Sequence, residues 1–304
     1  MIYTVTLNPS IDYIVHLPAI QLGEVNRIQQ DFKLPGGKGI NVSRILNELE
    51  VENTALGFLG GFTGKYIEDW LEAENSKTRF THVDEATRIN VKIKSGMETE
   101  MNGPGPNIEP AVAEEFLKQF DALDPENDIV VLAGSKPTSL PEDYYQTIIH
   151  RLTEKGVPFL IDTTGEELKN ALPYQPLLVK PNHHELAELF DTTFETDEDI
   201  LPYGKKLLEA GAQYAIISMA AKGAILFTPE GVYHGTVPKG VLKNSVGSGD
   251  SMIAGFVGTY MKTHDPLEAF KVSIACGSAT AFADDLAKRE EIDALVKQVT
   301  ISQL

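Results

Sequence analysis

The feature that most constrains the fold of this chain is the regular alternation of short apolar runs with amphipathic segments. The amphipathic segments, such as GINVSRILNELE and PEDYYQTIIHRLTEKG, carry apolar residues at helical spacing. The apolar runs are bounded by Gly, Pro or Asp and are typical of buried strands; they are IYTVTL, NTALGFLG, DIVVLAGS, PFLIDTT, LLVKPN and YAIISMA. This alternation predicts an α/β fold, a doubly wound and mostly parallel sheet flanked by helices, with ligands bound beyond the carboxyl ends of its strands.

One region departs from this alternation. The segment RINVKIKSGMETEMNGPGP alternates apolar and polar residues from Arg88, turns at Ser95-Gly96 and continues as a second alternating strand, which predicts a β-hairpin. With DYIVHL and NRIQQDFKL, this hairpin predicts a small β-sheet covering the mouth of the main sheet. Residues 1–304 then form a single domain, with lid segments inserted at about 12–35 and 87–103. A simple surface hairpin is the alternative.

Charge and cysteine content narrow the function classes. The formal net charge of −18 would repel a phosphate backbone, so we expect no nucleic-acid partner. Cys276 is the only cysteine, which excludes an intramolecular disulfide and fits a reducing compartment. The N-terminal MIYTVTLNPSIDY has no basic leader, and no apolar run approaches the roughly 18 residues of a membrane span. We therefore expect a cytoplasmic protein with no membrane partner.

The common nucleotide and zinc motifs are absent. GGFTGKY has Leu59 where a Walker loop needs its first Gly, and Tyr66 follows its Lys. PGGKGIN fails because Gly39 follows its Lys, and no strand leads into G-x-G-x-x-G. In NHHELAEL the zinc-protease spacing would need His where Glu188 stands. Any nucleotide chemistry must therefore use another kind of site.

The segment NSVGSGDSM is the strongest candidate for such a site. Gly247 and Gly249 let backbone N–H groups converge on an anion, and helical apolar spacing from Met252 onward places the loop at a helix N-terminus. Asp250 in the first turn is expected to stay ionised and face that cradle. Phosphoryl transfer needs this combination of charge-stabilising donors and a base for the attacking hydroxyl. The alternative is that Asp250 only caps the helix.

Several separated motifs resemble those of one family, the PfkB-type sugar kinases of the ribokinase-like superfamily. GGKGINVSR is similar to the N-terminal signature of the family, and NSVGSGDSMIAGF to its C-terminal signature. LNPSIDY and KPNHHEL stand where the family has N-P-x-x-D and K-P-N-x-x-E. FKLPGGKGINVSR, ALGFLGGFTG, TRINVKIK and ETEMNGPGP resemble the branch that phosphorylates ketose phosphates. The motifs occur in family order over essentially the whole chain.

The resemblance implies a ribokinase-like fold and an ATP-dependent sugar-phosphate kinase that uses ATP and Mg²⁺. The activity that the resemblance favours is phosphorylation of fructose 1-phosphate at O6 to give fructose 1,6-bisphosphate. Tagatose 6-phosphate and fructose 6-phosphate are the alternative substrates. An inactive sugar-phosphate sensor on the same scaffold is an alternative of another class. The resemblance also implies a homodimer through the lid sheets, where the hairpin would otherwise leave an exposed edge.

On the catalytic and sugar side, the resemblance makes Asp250 the base, and the amides of Gly247, Ser248 and Gly249 the anion hole. It also implies a set of substrate contacts: Asp12, Gly37, Lys38, Asn41, Arg88 and Ser135, with Arg27 as a weaker candidate. A carboxylate suits vicinal hydroxyls, and cationic side chains suit the existing phosphate. Without the resemblance, Asp12 would be a turn cap, Lys38 a solvated lysine and Arg88 a solvent-facing strand residue.

On the nucleotide side, the resemblance implies ATP contacts from Lys180, Asn182, Ser218, Gly223 and Gly277, together with the three anion-hole residues. Glu185 would organise Mg²⁺ through water. The alternative for Asn182 and Glu185 is a helix capping box, which has the same spacing, and both roles can coexist. Cys276 is interpreted as a buried apolar residue.

Two positions depart from the family pattern. Ser218-Met219-Ala220 stands where the family has Gly after Ser-Leu, so a positive φ at Ala220 would be strained and would put the nucleotide contact there in doubt. Lys136 stands where the family has a neutral residue, and it either adds positive charge near the substrate or faces water.

Overall fold

A computed structural model describes residues 1–304, with every side chain included except that of Met97. Ten strands form the main sheet and four form a separate small sheet. The strands are β1 Ile2–Thr6, β2 Ser10–His16, β3 Gln30–Gly36, β4 Asn53–Gly60, β5 Thr78–Val83, β6 Arg88–Ser95, β7 Met97–Met101, β8 Ile129–Ala133, β9 Phe159–Asp162, β10 Leu178–Val179, β11 Tyr214–Ser218, β12 Ala224–Thr228, β13 Gly231–Gly235 and β14 Ile301–Gln303.

The helices lie between these strands, as the amphipathic segments predict. They are α1 Lys38–Glu48, α2 Gly61–Ala73, α3 Pro110–Leu117, α4 Tyr144–Lys155, α5 Gly165–Ala171, α6 His183–Leu189, α7 Ile200–Glu209, α8 Ser248–Thr263, α9 Pro266–Phe282 and α10 Arg289–Val296. Short 3₁₀ turns follow α3, α5 and β11. Among the described residues, the helices offer no stretch with the length and apolarity that a membrane span requires.

The main sheet has the order β14-β13-β12-β11-β10-β9-β8-β1-β4-β5. The seven strands from β11 to β5 pair in parallel, whereas β12, β13 and β14 continue the sheet antiparallel. The predicted doubly wound, mostly parallel α/β architecture is therefore confirmed. All the parallel strands end at the same edge of the sheet, which is where such folds hold their ligands.

Both faces of the sheet are covered, which explains why the strands are apolar along their whole length. In β8, Val130 and Leu132 enter one hydrophobic cluster, and Ile129 and Val131 enter the cluster on the opposite face. The first cluster packs against α3, α4, α5, α6 and α7, and the second against α1, α8, α9 and α10. Successive side chains of a strand point to opposite faces, so an uninterrupted apolar run indicates helices on both sides.

The small sheet has the order β3-β2-β6-β7. The strands β6 and β7 form the predicted hairpin, which turns at Gly96 with a φ of 80°. Strand β2 lies between β3 and β6, and its register places Ser10 beside Arg88 and Asp12 beside Asn90. The small separate sheet predicted from these segments is therefore present, and several of its polar side chains are buried.

Candidate active site

Polar side chains lie where five neighbouring parallel strands end, and three of them are predicted site residues. In their order along the sheet, they are Ser218 at the end of β11, Lys180 after β10, Asp162 in β9, Ser135 after β8 and Asn8 after β1. Because parallel strands end at one edge, side chains far apart in sequence meet there. Asp162 is the residue that the sequence analysis missed. Its signal was an acid at the end of the strand PFLID, at the same edge as the other sites.

The predicted anion hole is the first turn of α8. The helix begins at Ser248, earlier than the apolar spacing from Met252 indicated, and Gly247 precedes it with a left-handed φ of 77°. A Cβ on Gly247 would stand 2.6 Å from Leu286 Cδ2, so only glycine fits this turn. The amide of Ser248 reaches Ser245 O at 3.4 Å, while that of Gly249 has no acceptor among the described residues. A helix start with a free amide of this kind favours an anion.

Asp250 does not cap this helix. It lies in the first turn, is 7% exposed, and accepts a hydrogen bond of 2.8 Å from Asn41 Nδ2. Burial raises the pKa of Asp250 to about 6, against the lowering effects of Lys38, the Asn41 hydrogen bond and Lys180. The sequence pattern gives no sign of this raised pKa, because it does not show how completely α1 and α8 enclose the side chain.

Asp162 joins two lysines beside this carboxylate. Its Oδ2 accepts 2.8 Å from Lys38 Nζ, and its Oδ1 lies 3.6 Å from Lys180 Nζ. Burial opposes the charge of Asp162, but Lys180 and Lys38 outweigh burial and lower its pKa. In turn Asp162, with a smaller contribution from Asp250, raises the pKa of Lys38 well above its ordinary value. Lys38 is thus held charged at the edge of the anion hole, with Lys180 beside the same carboxylate, and the interpretation of Lys38 as a freely solvated lysine is wrong.

Lys38 and Asn41 reach the site because α1 begins there. The helix starts at Lys38 after Gly37, whose φ is 121°, and a Cβ on Gly37 would stand 2.5 Å from Thr6 Cγ2. Lys38 and Asn41 are three residues apart, so they project from the same face of the helix. Gly37 therefore allows α1 to approach β1 closely enough to present both side chains.

The small sheet contributes a second polar cluster. Asp12 is 9% exposed; its Oδ1 accepts from Ser10 Oγ at 2.7 Å and from Asn90 Nδ2 at 3.2 Å, and its Oδ2 lies 3.4 Å from Lys92 Nζ. Burial disfavours the charge of Lys92, yet Asp12 and Glu100 outweigh it and raise the pKa of Lys92. Asp12 is therefore a strand residue in a network and not a turn cap.

Arg88 connects this sheet to the end of β1. It donates 2.8 Å to Gly103 O and 2.9 Å to Asn8 O, while its Nε is buried without a partner among the described residues. Burial lowers the pKa of Arg88 from its ordinary value. Two strand-to-loop bonds show that Arg88 is not a solvent-facing strand residue.

On the nucleotide side, the capping box is present. Asn182 Oδ1 accepts from the amides of His184 and Glu185, and Glu185 Oε2 accepts 2.8 Å from the amide of Asn182. The backbone of Asn182 also pairs with that of Ser218, at the end of β11, in an isolated parallel β-bridge. Gly277 lies next to the anion hole, since its carbonyl accepts 2.7 Å from Ser248 Oγ.

The two departures from the family pattern have structural consequences. Ala220 adopts a φ of 50°, so the strain that an alanine would incur there is real, and Gly223 closes the same turn with a φ of 94°. Lys136 forms an ion pair of 2.8 Å with Glu167 and is largely buried, so it does not lie free in water. Cys276 is fully buried and burial raises its pKa to about 12, as expected of an apolar packing residue.

Two predicted substrate residues do not join the contacts described above. Ser135 is exposed one residue beyond Gly134, which borders the Lys38 side chain. Arg27 is exposed on the connection between β2 and β3 and forms no ion pair among the described residues. Their roles stay predictions.

The donor set fits a magnesium ion that keeps most of its water. Among the described residues no three His, Cys, Asp or Glu side chains cluster as a metal cage. Glu185 has one carboxylate oxygen bonded to the Asn182 amide, which leaves the other for a water ligand, and its charge also acts on Lys38. Mg²⁺ in phosphoryl-transfer sites is held by one or two carboxylates and by substrate phosphates.

Comparison with known proteins gives one consistent result. Residues 5–288 match the model of the pfkB family of carbohydrate kinases. The chain is 51% identical over 304 residues to a 1-phosphofructokinase of Bacillus subtilis, covering all of both chains, and 34% identical over 305 residues to a D-tagatose-1-phosphate kinase of Bacillus licheniformis, again covering all of both. The structure of a tetrameric inhibited form of phosphofructokinase-2 from Escherichia coli superposes with a TM-score of 0.89 at 26% identity, covering 98% of each chain.

Proposed function

Since the chain belongs to the pfkB family of carbohydrate kinases, we propose that it transfers the γ-phosphoryl group of ATP to O6 of fructose 1-phosphate. The product is fructose 1,6-bisphosphate. The observation that carries the proposal is the buried Asp250 carboxylate at the first turn of α8, beside a free amide and the two lysines that contact Asp162. The full-length similarity to a 1-phosphofructokinase supports the choice of sugar.

Asp250 is the base that takes the proton from the attacking hydroxyl. A pKa of about 6 leaves the carboxylate ionised at neutral pH while bringing it closer to the working pH than an ordinary aspartate. Asn41 holds one carboxylate oxygen and leaves the other for the hydroxyl. The transferred phosphoryl group carries much of the charge in a loose transition state, so a moderate base suffices.

The anion hole and the lysines stabilise the charge that moves with the phosphoryl group. The amides of Gly247, Ser248 and Gly249 surround the N-terminus of α8, where the helix dipole favours negative charge. Lys180 Nζ lies 3.1 Å from the position that a Cβ on Gly249 would take, so it borders the same cradle. An ammonium group has three donors, so a lysine bound to Asp162 keeps others for phosphate oxygens.

The small sheet and the start of α1 bind the sugar phosphate. Asp12 accepts from the sugar hydroxyls, and Gly37 allows close approach of the backbone. Arg88 and Lys38 bind the existing phosphate, with Ser135 and Arg27 as further contacts. The unpartnered Nε of Arg88 is the donor that this assignment uses, because a guanidinium can bind a phosphate through two parallel bonds.

On the other side of the anion hole, Asn182, Ser218, Gly223 and Gly277 line the nucleotide position, and Glu185 holds Mg²⁺ through water. When bound, this ion neutralises charge on the nucleotide phosphates. Asn182 serves both as helix cap and as nucleotide contact. We place the reaction in the cytoplasm, where ATP is available.

A second substrate is favoured by one observation. A relative at 34% identity is a D-tagatose-1-phosphate kinase, which indicates that a ketose 1-phosphate of another configuration can be accepted in this family. Ketose 6-phosphates are the remaining alternatives, and they would accept the phosphoryl group at O1.

A substrate panel tests the proposal. ADP release is measured with MgATP and, in parallel, fructose 1-phosphate, tagatose 1-phosphate, tagatose 6-phosphate and fructose 6-phosphate. We expect the highest kcat/KM with fructose 1-phosphate. Preference for a 6-phosphate would overturn the proposed substrate, and saturable binding without turnover of any sugar would identify a sensor instead of an enzyme.

A further inference from the structure

Arg44 is a buried charge in the GGKGINVSR motif to which the proposed chemistry assigns no role. It lies on α1 and is 6% exposed. Its guanidinium makes two bidentate contacts. Nε and Nη2 donate 2.9 and 3.2 Å to the carboxylate of Glu74 after α2, and Nη1 and Nη2 donate 3.3 and 2.8 Å to the carboxylate of Asp285 between α9 and α10. Burying a cation destabilises the folded protein unless the cation is fully hydrogen-bonded to its partners. Arg44 meets this condition through the two carboxylates.

The Asp285 contact leads directly to the anion hole. Leu286, the next residue, is 8% exposed and packs on Gly247, since a Cβ there would stand 2.6 Å from its Cδ2. The amide of Ala287 donates 3.2 Å to Thr280 Oγ1, which is bonded at 2.8 Å to Ser251 Oγ. Ser251 Oγ in turn donates 2.8 Å to Gly247 O. The chain of contacts from Arg44 therefore ends on the residue that starts the anion hole.

Glu74, the other partner of Arg44, belongs to another element. Glu74 is the residue that ends α2, and its amide bonds within that helix to Trp70 O at 3.1 Å. Glu74 lines one cavity with Leu286, Ala287 and Lys288, but its side chain forms hydrogen bonds to Arg44 alone among the described residues. Asp285 is part of the segment that packs on Gly247, whereas Glu74 is bonded to that segment only through the guanidinium.

We propose that Arg44 is a positioning residue that holds the segment 283–288 against Gly247, and so fixes the anion-hole amides for phosphoryl transfer. This inference rests on the proposed function of the anion hole. Lys38, Asn41 and Arg44 are spaced three residues apart along α1, so one helix holds the Asp162 cluster, the base and the anion-hole segment together. Donors that stabilise the transition state act only when they are fixed in advance, so loosening this segment affects the chemical step more than binding.

Asp285→Asn and Glu74→Gln are the matched test variants, because each removes one of the two carboxylates without changing its size. Asp285→Asn is expected to lower kcat by about tenfold or more while KM for MgATP and for fructose 1-phosphate changes less than about threefold. Glu74→Gln is expected to lower the melting temperature with kcat nearly unchanged. Arg44→Lys keeps the charge but cannot make the bidentate bonds, so it should reproduce the kcat loss of Asp285→Asn.

Hydrogen exchange of residues 247–251 provides a readout that does not depend on activity. Asp285→Asn should speed exchange of these amides in the absence of substrate, and Glu74→Gln should leave it unchanged. Equal effects of the two variants on kcat, or on exchange at 247–251, would overturn the inference. If the parent enzyme phosphorylates no ketose phosphate, the proposed function fails, and the exchange measurement alone decides whether Arg44 orders this turn.

Discussion

At the scale of single residues, burial sets the protonation of Asp250. Lys38, Asp162, Lys180 and Asn41 surround this carboxylate, and burial outweighs the groups that favour its charge. Because the pKa is raised to about 6, the base is ionised above that pH and protonated below it.

The first prediction is a loss of activity on the acid side. We expect kcat to fall as the pH drops below about 6, approaching tenfold per pH unit, when Asp250 binds a proton. Asn41→Ala removes a hydrogen bond to the ionised form and should move the midpoint to higher pH. The measurement is the pH profile of kcat at saturating substrates for both proteins. A flat profile between pH 5 and 7 would contradict the assignment.

Ala220 allows a second residue-scale prediction. An alanine with a φ of 50° is strained by roughly 1–2 kcal/mol, whereas glycine is not. Glycine has more entropy than alanine in the unfolded chain, which offsets part of this relief, and Ala220→Gly should therefore raise the free energy of unfolding by only about 0.5–1 kcal/mol. Ala294→Gly, within α10, is the matched control and should lower it by about 1 kcal/mol. Denaturant titration measures both, and equal destabilisation by the two changes would refute the strain.

At the scale of elements, sequence pattern predicted most of the architecture but less of the site. Strands such as DIVVLAGS could be recognised because burial on both faces removes polar residues from their interior. Asp162 was missed since a single acid at a strand end has no spacing partner; only the adjacency of β9 to β8 and β10 places it between Lys38 and Lys180. The pairing of Arg44 with Asp285 spans 241 residues and has no local signal.

The small sheet is the element expected to respond to substrate. Asp12 and Arg88 lie on its strands, so sugar-phosphate binding should order β6 and β7. We expect fructose 1-phosphate to slow hydrogen exchange in residues 88–102 by at least about tenfold. Residues 231–235, in β13 on the far side of the main sheet, serve as the internal control. Unchanged exchange in the hairpin would mean that the sheet does not close on the substrate.

At the scale of the whole molecule, exposed apolar side chains concentrate on the small sheet and the connection between β2 and β3. They are Ile20, Leu22, Val25, Ile28, Phe32, Ile89 and Met101. Isolated exposed apolar residues are ordinary, but a group on one element marks an interaction surface. We therefore propose that two copies of this chain associate through their small sheets.

Phe32 tests this association. The side chain is 40% exposed on β3, and Phe32→Glu would place a charge in the buried interface. We expect sedimentation to show a dimer for the parent protein and a monomer for Phe32→Glu at micromolar concentration. Leu304→Glu changes an equally apolar residue, 61% exposed at the C-terminus, and should remain dimeric. A monomeric parent protein would contradict the proposal.

The central claim is that Asp250 acts as the base in phosphoryl transfer, and Asp250→Asn tests it most directly. The measurement is single-turnover formation of fructose 1,6-bisphosphate by the variant, with fructose 1-phosphate binding and the free energy of unfolding recorded alongside.

Because burial raises the pKa of Asp250 to about 6, its ionised form lowers the free energy of unfolding at neutral pH by up to roughly 3 kcal/mol. The variant should therefore be at least as stable as the parent at pH 7.5. That advantage should fade as the pH falls toward 4. We predict a stable variant that binds the sugar phosphate and turns over at least about 10³-fold more slowly; a stable, binding variant that keeps near-parental turnover would contradict the account.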